Sequence, residues 1–222
     1  MSERAAATDA IEMTPTLRRP APELGPRARR TIDLILAATK EVFLARGYGG
    51  TSIDDIARAA GVSRASFYTY FPSKRDALLA LGADAGHHAE LLIDELATLP
   101  ETGRAEAIAA WVARYFAFLD DYGSFALAWP QAAHQDDELR AAGMRGHLAT
   151  CRRFGKVLES LGSSSLGDPA HLGLLVFSML ERTWAQCRLY RAALDEREVC
   201  ADAGVVITAV LSGRPIRRRE GG

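Results

Sequence analysis

The sequence predicts an all-α chain of about nine helices, and three observations carry that prediction. Apolar residues recur at helical spacing along most of the chain. Serine or aspartate caps, followed three residues later by an acidic residue, mark several helix starts. No segment sustains a period of two or carries hairpin turn chemistry, so a sheet is not expected.

The elements follow in order. Residues 1–26 hold Pro15, Pro20, Pro22 and Pro26 without apolar periodicity and read as a disordered tail. Arg18, Arg19, Arg27, Arg29 and Arg30 are candidates for a basic arm, or for a merely solvated leader. Ile32, Ile35, Leu36, Ala38, Val42 and Phe43 make the first helix, which stops at Gly47. Ser52 with Asp55 opens a second helix over 53–60, and Gly61 breaks it. Ser63 caps a third, which ends at Pro72. Ser73 with Asp76 opens a longer fourth helix to about Thr98. Further helices are expected over 104–121, 125–134, 136–161, 169–191 and 196–211. Asp168–Pro169 and Asp195 with Glu198 are their clearest start signals. Residues 213–222 form a basic tail with Arg214, Arg217, Arg218 and Arg219.

A length of 222 residues gives room for a buried core in one large or two small domains. The most apolar windows, 172–180 and 203–211, are too short to span a bilayer, and no secretory leader is expected. Cys151, Cys187 and Cys200 are odd in number and far apart, which fits a reducing cytoplasm better than a disulfide framework. Only Lys40, Lys74 and Lys156 are lysines, whereas Arg, Ala and Gly abound, a composition suggestive of a GC-rich bacterial genome. The net charge of -1 hides an asymmetry. Residues 27–78 carry nine Lys and Arg against five Asp and Glu; residues 79–212 carry eleven against eighteen. A basic head on an acidic body suits a protein that meets a polyanion with the head alone.

The third helix supplies the matching surface. Val62, Phe67 and Phe71 fall on one side, able to pack on Phe43, Ile53, Ile56 and Ala60. Arg64, Ala65, Tyr68 and Thr69 share the opposite face. A short helix so decorated fits the major groove: Arg64 to guanine or phosphate, Ala65 to a thymine methyl, Tyr68 and Tyr70 to phosphate oxygens. Thr51 and Ser52, and Lys74 near the fourth helix's start, lie where free backbone N–H groups favour a phosphate. Capping alone also accounts for Thr51, Ser52 and Ser63, and core packing for the tyrosines.

Ala38, Phe43, Gly47–Tyr48, Thr51, Ile56–Ala57, Ala60–Gly61–Val62–Ser63, Tyr68, Phe71, Lys74 and Leu78 form a spaced pattern over residues 31–79, about a fifth of the chain. This pattern resembles the N-terminal signature of the TetR family of bacterial transcriptional regulators. One departure is Ala65, where the family commonly has Gly or Pro. The resemblance implies a three-helix, helix-turn-helix DNA-binding domain over 27–78, with Arg64, Ala65, Ser66, Tyr68, Thr69 and Tyr70 facing DNA and Lys74 on a phosphate. It also implies an all-helical ligand-binding and dimerisation domain over 79–212, and homodimers whose heads enter successive major grooves.

Residues 172–180 and 203–211 are apolar nearly all round, so they are either central or covered by a second copy. The family places its dimer bundle in the last two helices. Leu172, Leu175, Val176, Met179, Val205, Val206, Ala209 and Val210 are therefore the expected interface. Such pairing would read a palindromic operator. The aromatic residues Trp111, Tyr115, Phe116, Phe118, Tyr122, Phe125, Trp129, Phe154, Phe177 and Trp184 concentrate in the body, near the polar Gln131, His134, Arg182 and Gln186. They suit either a core or a pocket for a small, largely apolar effector, with His134 among the orienting groups. The histidines show no metal-ligand spacing, and no nucleophile–base series or phosphate loop appears, so no metal, cofactor or catalysis is expected. The reading that results is a cytoplasmic, ligand-responsive repressor acting as a homodimer. Its rivals are a ligand-independent architectural DNA-binding protein and a small-molecule-binding or enzymatic body with an appended helix-turn-helix.

Overall fold

A computed structural model describes residues 25–162, 167–190 and 192–212. These residues form eight α-helices and no strand: α1 Pro26–Arg46, α2 Ile53–Ala59, α3 Arg64–Tyr70, α4 Lys74–Ala97, α5 Arg104–Gln135, α6 Asp137–Ser160, α7 Pro169–Arg188 and α8 Glu196–Leu211. Comparison with the expected nine shows one difference. The helices expected over 104–121 and 125–134 are a single element, α5, with Pro130 inside it. Proline removes one backbone donor, but Tyr122, Gly123, Ser124, Ala128, Ala132 and Ala133 are buried along this stretch, and that packing keeps the chain helical.

Local chemistry sets most boundaries. Pro26 occupies the first turn of α1, whose φ it pre-sets. Arg27, Arg29 and Arg30 therefore belong to a helix and not to an extended arm, a correction to that expectation. Arg18, Arg19 and the C-terminal arginines lie outside the described residues. Gly47 ends α1 at φ 68°, its N–H donating to the Phe43 carbonyl. Ser52 and Asp55 form a complete capping box: the Asp55 N–H donates to Ser52 Oγ at 3.1 Å, and the Ser52 N–H to Asp55 Oδ2 at 3.0 Å. Gly61, at φ 65°, makes the turn into α3, and Ser63 caps that helix through the Ser66 N–H at 3.0 Å. Asp168 and Asp195 cap α7 and α8 as expected.

The chain divides into two units, and α4, α5 and α6 contribute to both. The first takes residues up to His88 together with Asp120–His147; the second takes Ala89–Leu119 and residues from Leu148 onward. The expected head, 27–78, lies wholly within the first. The core of this first unit includes Ile35, Phe43, Ile56, Phe67, Phe71, Leu78 and Leu81, all essentially inaccessible.

The second unit is centred on stacked aromatic rings. Trp111 lies 5.5 Å from both Tyr115 and Phe154, and Phe154 lies 4.1 Å from Phe177, centroid to centroid. The Trp111 indole N–H is satisfied by the Leu92 carbonyl at 2.7 Å. Glycines let the surrounding helices touch backbone to backbone. A Cβ at Gly173 would stand 1.9 Å from the Cys151 carbonyl oxygen, and one at Gly155 1.8 Å from that of Pro169.

Candidate nucleic-acid interface

The head presents α3 on a short, well-anchored frame. Phe67 and Phe71 are fully buried, so α3 is locked by its inner face. Arg64, Ala65 and Thr69 are exposed on the outer face, and Ser66, Tyr68 and Tyr70 are half-buried beside them. The face separation expected from the spacing is therefore the one observed. The Thr69 hydroxyl donates to the Ala65 carbonyl at 3.0 Å, which steadies its side chain against the helix. Arg64 is not free in solvent: it donates to Asp54 Oδ2 at 2.7 Å and to the Tyr68 hydroxyl at 3.3 Å. The Asp54 carboxylate raises its already high pKa further.

The remaining expected DNA contacts are distributed differently. Thr51 is turned inward, 4% exposed, with its hydroxyl on the Gly47 carbonyl at 2.7 Å. Its side chain is spent on the α1–α2 turn, so the expectation that it meets a phosphate is corrected to a structural role. Ser52 and Ser63 are exposed caps whose hydroxyls accept backbone N–H groups. Lys74 has structural partners as well. Its ammonium donates to the carbonyls of Tyr48 at 2.6 Å and Thr51 at 2.8 Å and sits 4.1 Å from the Tyr48 ring centroid. Burial lowers its pKa. Two of its three donors thus close the turn before α2, and only one direction is left for an outside ligand.

Contacts not expected from the sequence complete this frame. The Tyr48 N–H donates to Gln131 Oε1 at 2.9 Å, and a Cβ at Gly47 would collide with that same amide. Arg75 Nε donates to Asp136 Oδ2 at 2.7 Å. Asp55 gathers Arg46 at 2.8 Å and Arg58 at 3.3 Å, and the Ser52 cap, aided by these arginines, holds its pKa down to about 2. Only the charge opposition of Asp54 and Arg64 at the starts of consecutive helices was a usable sequence signal. Gln131 and Asp136 gave none.

With this geometry in view, residues 35–81 match the model described as bacterial regulatory proteins, tetR family. The TetR-family match thus falls on the head. The chain is also similar to the HTH-type transcriptional regulator EthR of Mycobacterium tuberculosis, 36% identical over 107 residues. That match covers 45% of this chain and 49% of EthR, so the chain spans about half the length of the curated relatives it matches. Among solved structures it is similar to the fatty acid degradation regulator FadR of Bacillus halodurans. There the TM-score is 0.65 at 20% identity, covering 89% of this chain and 100% of that one. FadR of Bacillus subtilis, solved in complex with stearoyl-CoA, gives a TM-score of 0.61 at 18% identity, covering 80% and 98%. The all-helical TetR fold therefore extends over most of the chain.

The residues expected to bind an effector do not all fall in one unit. Trp111, Tyr115, Phe118, Phe154, Phe177 and Trp184 belong to the second unit; Tyr122, Phe125, Trp129 and His134 belong to the first. In the first, the Tyr122 hydroxyl donates to Asp84 Oδ2 at 2.7 Å, and its ring lies 3.6 Å from Lys40 Nζ. Phe125 and Trp129 pack against each other at 5.4 Å, while His134 is exposed. In the second, the Tyr115 hydroxyl donates to Glu181 at 3.4 Å. Burial pushes the Glu181 carboxyl up from its usual range, against the opposing pull of that hydrogen bond. Among the described residues, no group of three or more His, Cys, Asp or Glu is arranged to hold a metal ion. No helix among the described residues is long and apolar enough to cross a membrane.

The expected interface residues also sort into two sets. Leu172 and Val176 are buried within the second unit and pack its core, which corrects their assignment as contacts for a second copy. Leu175, Val205 and Val206 remain 62%, 59% and 47% exposed, and Ala209 is exposed beside them. Met179 and Val210 are partly buried.

Proposed function

We propose that the protein is a ligand-responsive, DNA-binding transcriptional repressor that acts as a homodimer on a palindromic operator. The outward face of α3 carries this reading: Arg64, Ala65, Tyr68 and Thr69 stand opposite an inner face fully buried through Phe67 and Phe71. A helix so fixed enters the major groove as a rigid reader. Ser66, Tyr70, Ser52, Ser63 and the remaining donor of Lys74 supply contacts at its margins. The exposed Leu175, Val205, Val206 and Ala209 of α7 and α8 supply the apolar face for pairing. Isologous pairing of that face makes the operator an inverted repeat. A small, largely apolar effector in the helical body would release DNA by binding one state of the dimer more tightly than the other. Two fold neighbours, one named as a fatty acid degradation regulator and another solved with stearoyl-CoA, support an apolar effector. Helix α4, continuous from Lys74 to Ala97 and shared by both units, is suited to carry the change.

The test is enrichment of duplexes from a random pool by the full-length chain. An inverted repeat should emerge, and Tyr68→Ala with Thr69→Ala should weaken its binding at least about a hundredfold with unchanged helicity. Leu175→Asp with Val205→Asp should give a folded monomer by sedimentation and abolish tight binding. Absence of any enriched sequence, or undiminished binding by the double head variant, would overturn the proposal.

A further inference from the structure

The position of Arg64 in the head is set by a partner on another helix. Asp54, in the first turn of α2, accepts from Arg64 Nη1 at 2.7 Å. Tyr68, one turn along α3, accepts from Nη2 at 3.3 Å, and its ring centroid lies 5.5 Å from the guanidinium carbon. The guanidinium is thus held at both terminal nitrogens. Arg64 and Asp54 are nonetheless 58% and 50% exposed, and an ion pair so placed adds little to stability. Its arrangement calls for another explanation.

Charge and hydrogen bonding separate the two ways an arginine can serve DNA. Gripping a phosphate uses the full positive charge and releases a counterion. Reading guanine uses paired N–H donors against the O6 and N7 acceptors of one base edge. A carboxylate 2.7 Å away makes the pair nearly neutral at a distance, which removes most of the attraction for the backbone. It leaves N–H donors in place, since a guanidinium has five and two are engaged. It also fixes the plane of the group before DNA arrives, which lowers the entropy lost on forming a bidentate contact.

Resting on the DNA-reading function proposed above, we propose that Asp54 is a specificity-determining residue of the head: it neutralises and aims Arg64 so that this arginine discriminates bases instead of clamping phosphates. Asp54 acts through Arg64 and touches no base itself. The substitution Asp54→Asn would keep the shape and the hydrogen-bond acceptor while restoring the bare charge of Arg64.

The experiment measures binding of the full-length protein to two probes across a salt series: the duplex it enriches from a random pool, and a mixed-sequence duplex of equal length. Arg64→Met should weaken the enriched duplex about tenfold or more and leave the mixed duplex within about twofold, with the salt slope unchanged. Asp54→Asn should tighten the mixed duplex about tenfold at low salt, steepen its slope by about one, and narrow the preference for the enriched duplex. In the Arg64→Met background, Asp54→Asn should do almost nothing, because its target is gone. Circular dichroism and thermal melting check that each variant remains folded. Persistence of the Asp54→Asn effect without Arg64 would show simple repulsion between Asp54 and the backbone and overturn the inference. So would an unchanged preference in Asp54→Asn. A wild-type protein that enriches no duplex sinks the DNA-reading function, and this inference with it; the other two results sink the inference alone.

Discussion

The head and the aromatic unit of this chain are stabilised by opposite means. In the head, two seven-residue helices, too short to persist alone, are held by caps and by side chains that reach backbone groups: Ser52–Asp55, Ser63, Thr51 and Lys74. In the second unit, the Trp111, Tyr115, Phe154 and Phe177 rings stack, and glycines bring helices into backbone contact. The first strategy leaves a polar outer surface open to revision with little effect on the interior. The second makes almost every interior atom a constraint on its neighbours.

The strongest way to break this comparison is to remove a ring. Phe154→Ala should destabilise the protein by roughly 4 kcal/mol, since the column cannot collapse onto the space, and urea unfolding measures it. A loss below about 1 kcal/mol would mean that the column is loosely packed and the contrast false. Ser52→Ala should cost about 1 kcal/mol, read in the same assay, and should fall mainly on the head by hydrogen exchange at Asp55 and Ile56.

Proton titration sharpens the comparison, with opposite signs in the two units. The Asp55 pKa is depressed from 3.8 to about 2. Its contribution is therefore complete above pH 3.8 and lost as pH falls through about 2. The Glu181 pKa is raised above 4.5 by burial, so its stabilising, protonated state is lost as pH rises from 4.5 through the folded value. Hydrogen exchange should show the head loosening on acidification to pH 2, with Asp55→Asn flattening that response. The second unit should tighten from neutral pH down toward 4.5, and Glu181→Gln should remove the trend.

What the sequence made legible follows the same division. Caps and glycine turns are local, so the starts of α2, α3, α7 and α8 and the faces of α3 were readable from spacing alone. The union of two expected helices into α5 was not, because the burial of Tyr122, Gly123 and Ser124 that outweighs Pro130 is tertiary. The structural half of Lys74's role was hidden for a related reason. A lysine at a helix start suggests an anion, and only the folded turn reveals that two carbonyls claim it. Leu172 and Leu175 look alike in an apolar run, yet helix rotation buries one at 1% and leaves the other 62% exposed. Glu181 stands beside Arg182 in the sequence, and only the fold reveals the burial that raises its pKa.

The bonds from Gln131 to Tyr48 and from Asp136 to Arg75 span 83 and 61 residues. The family-matching segment over 35–81 is consequently not a cassette that can be cut out or swapped by its sequence limits. A graft ending there would carry Gly47, shaped to admit an amide that is no longer present, and an Arg75 without its carboxylate. Exchange of operator preference between relatives should therefore succeed by changing the outer residues of α3 in place, and fail when the head is transplanted without the later half of α5.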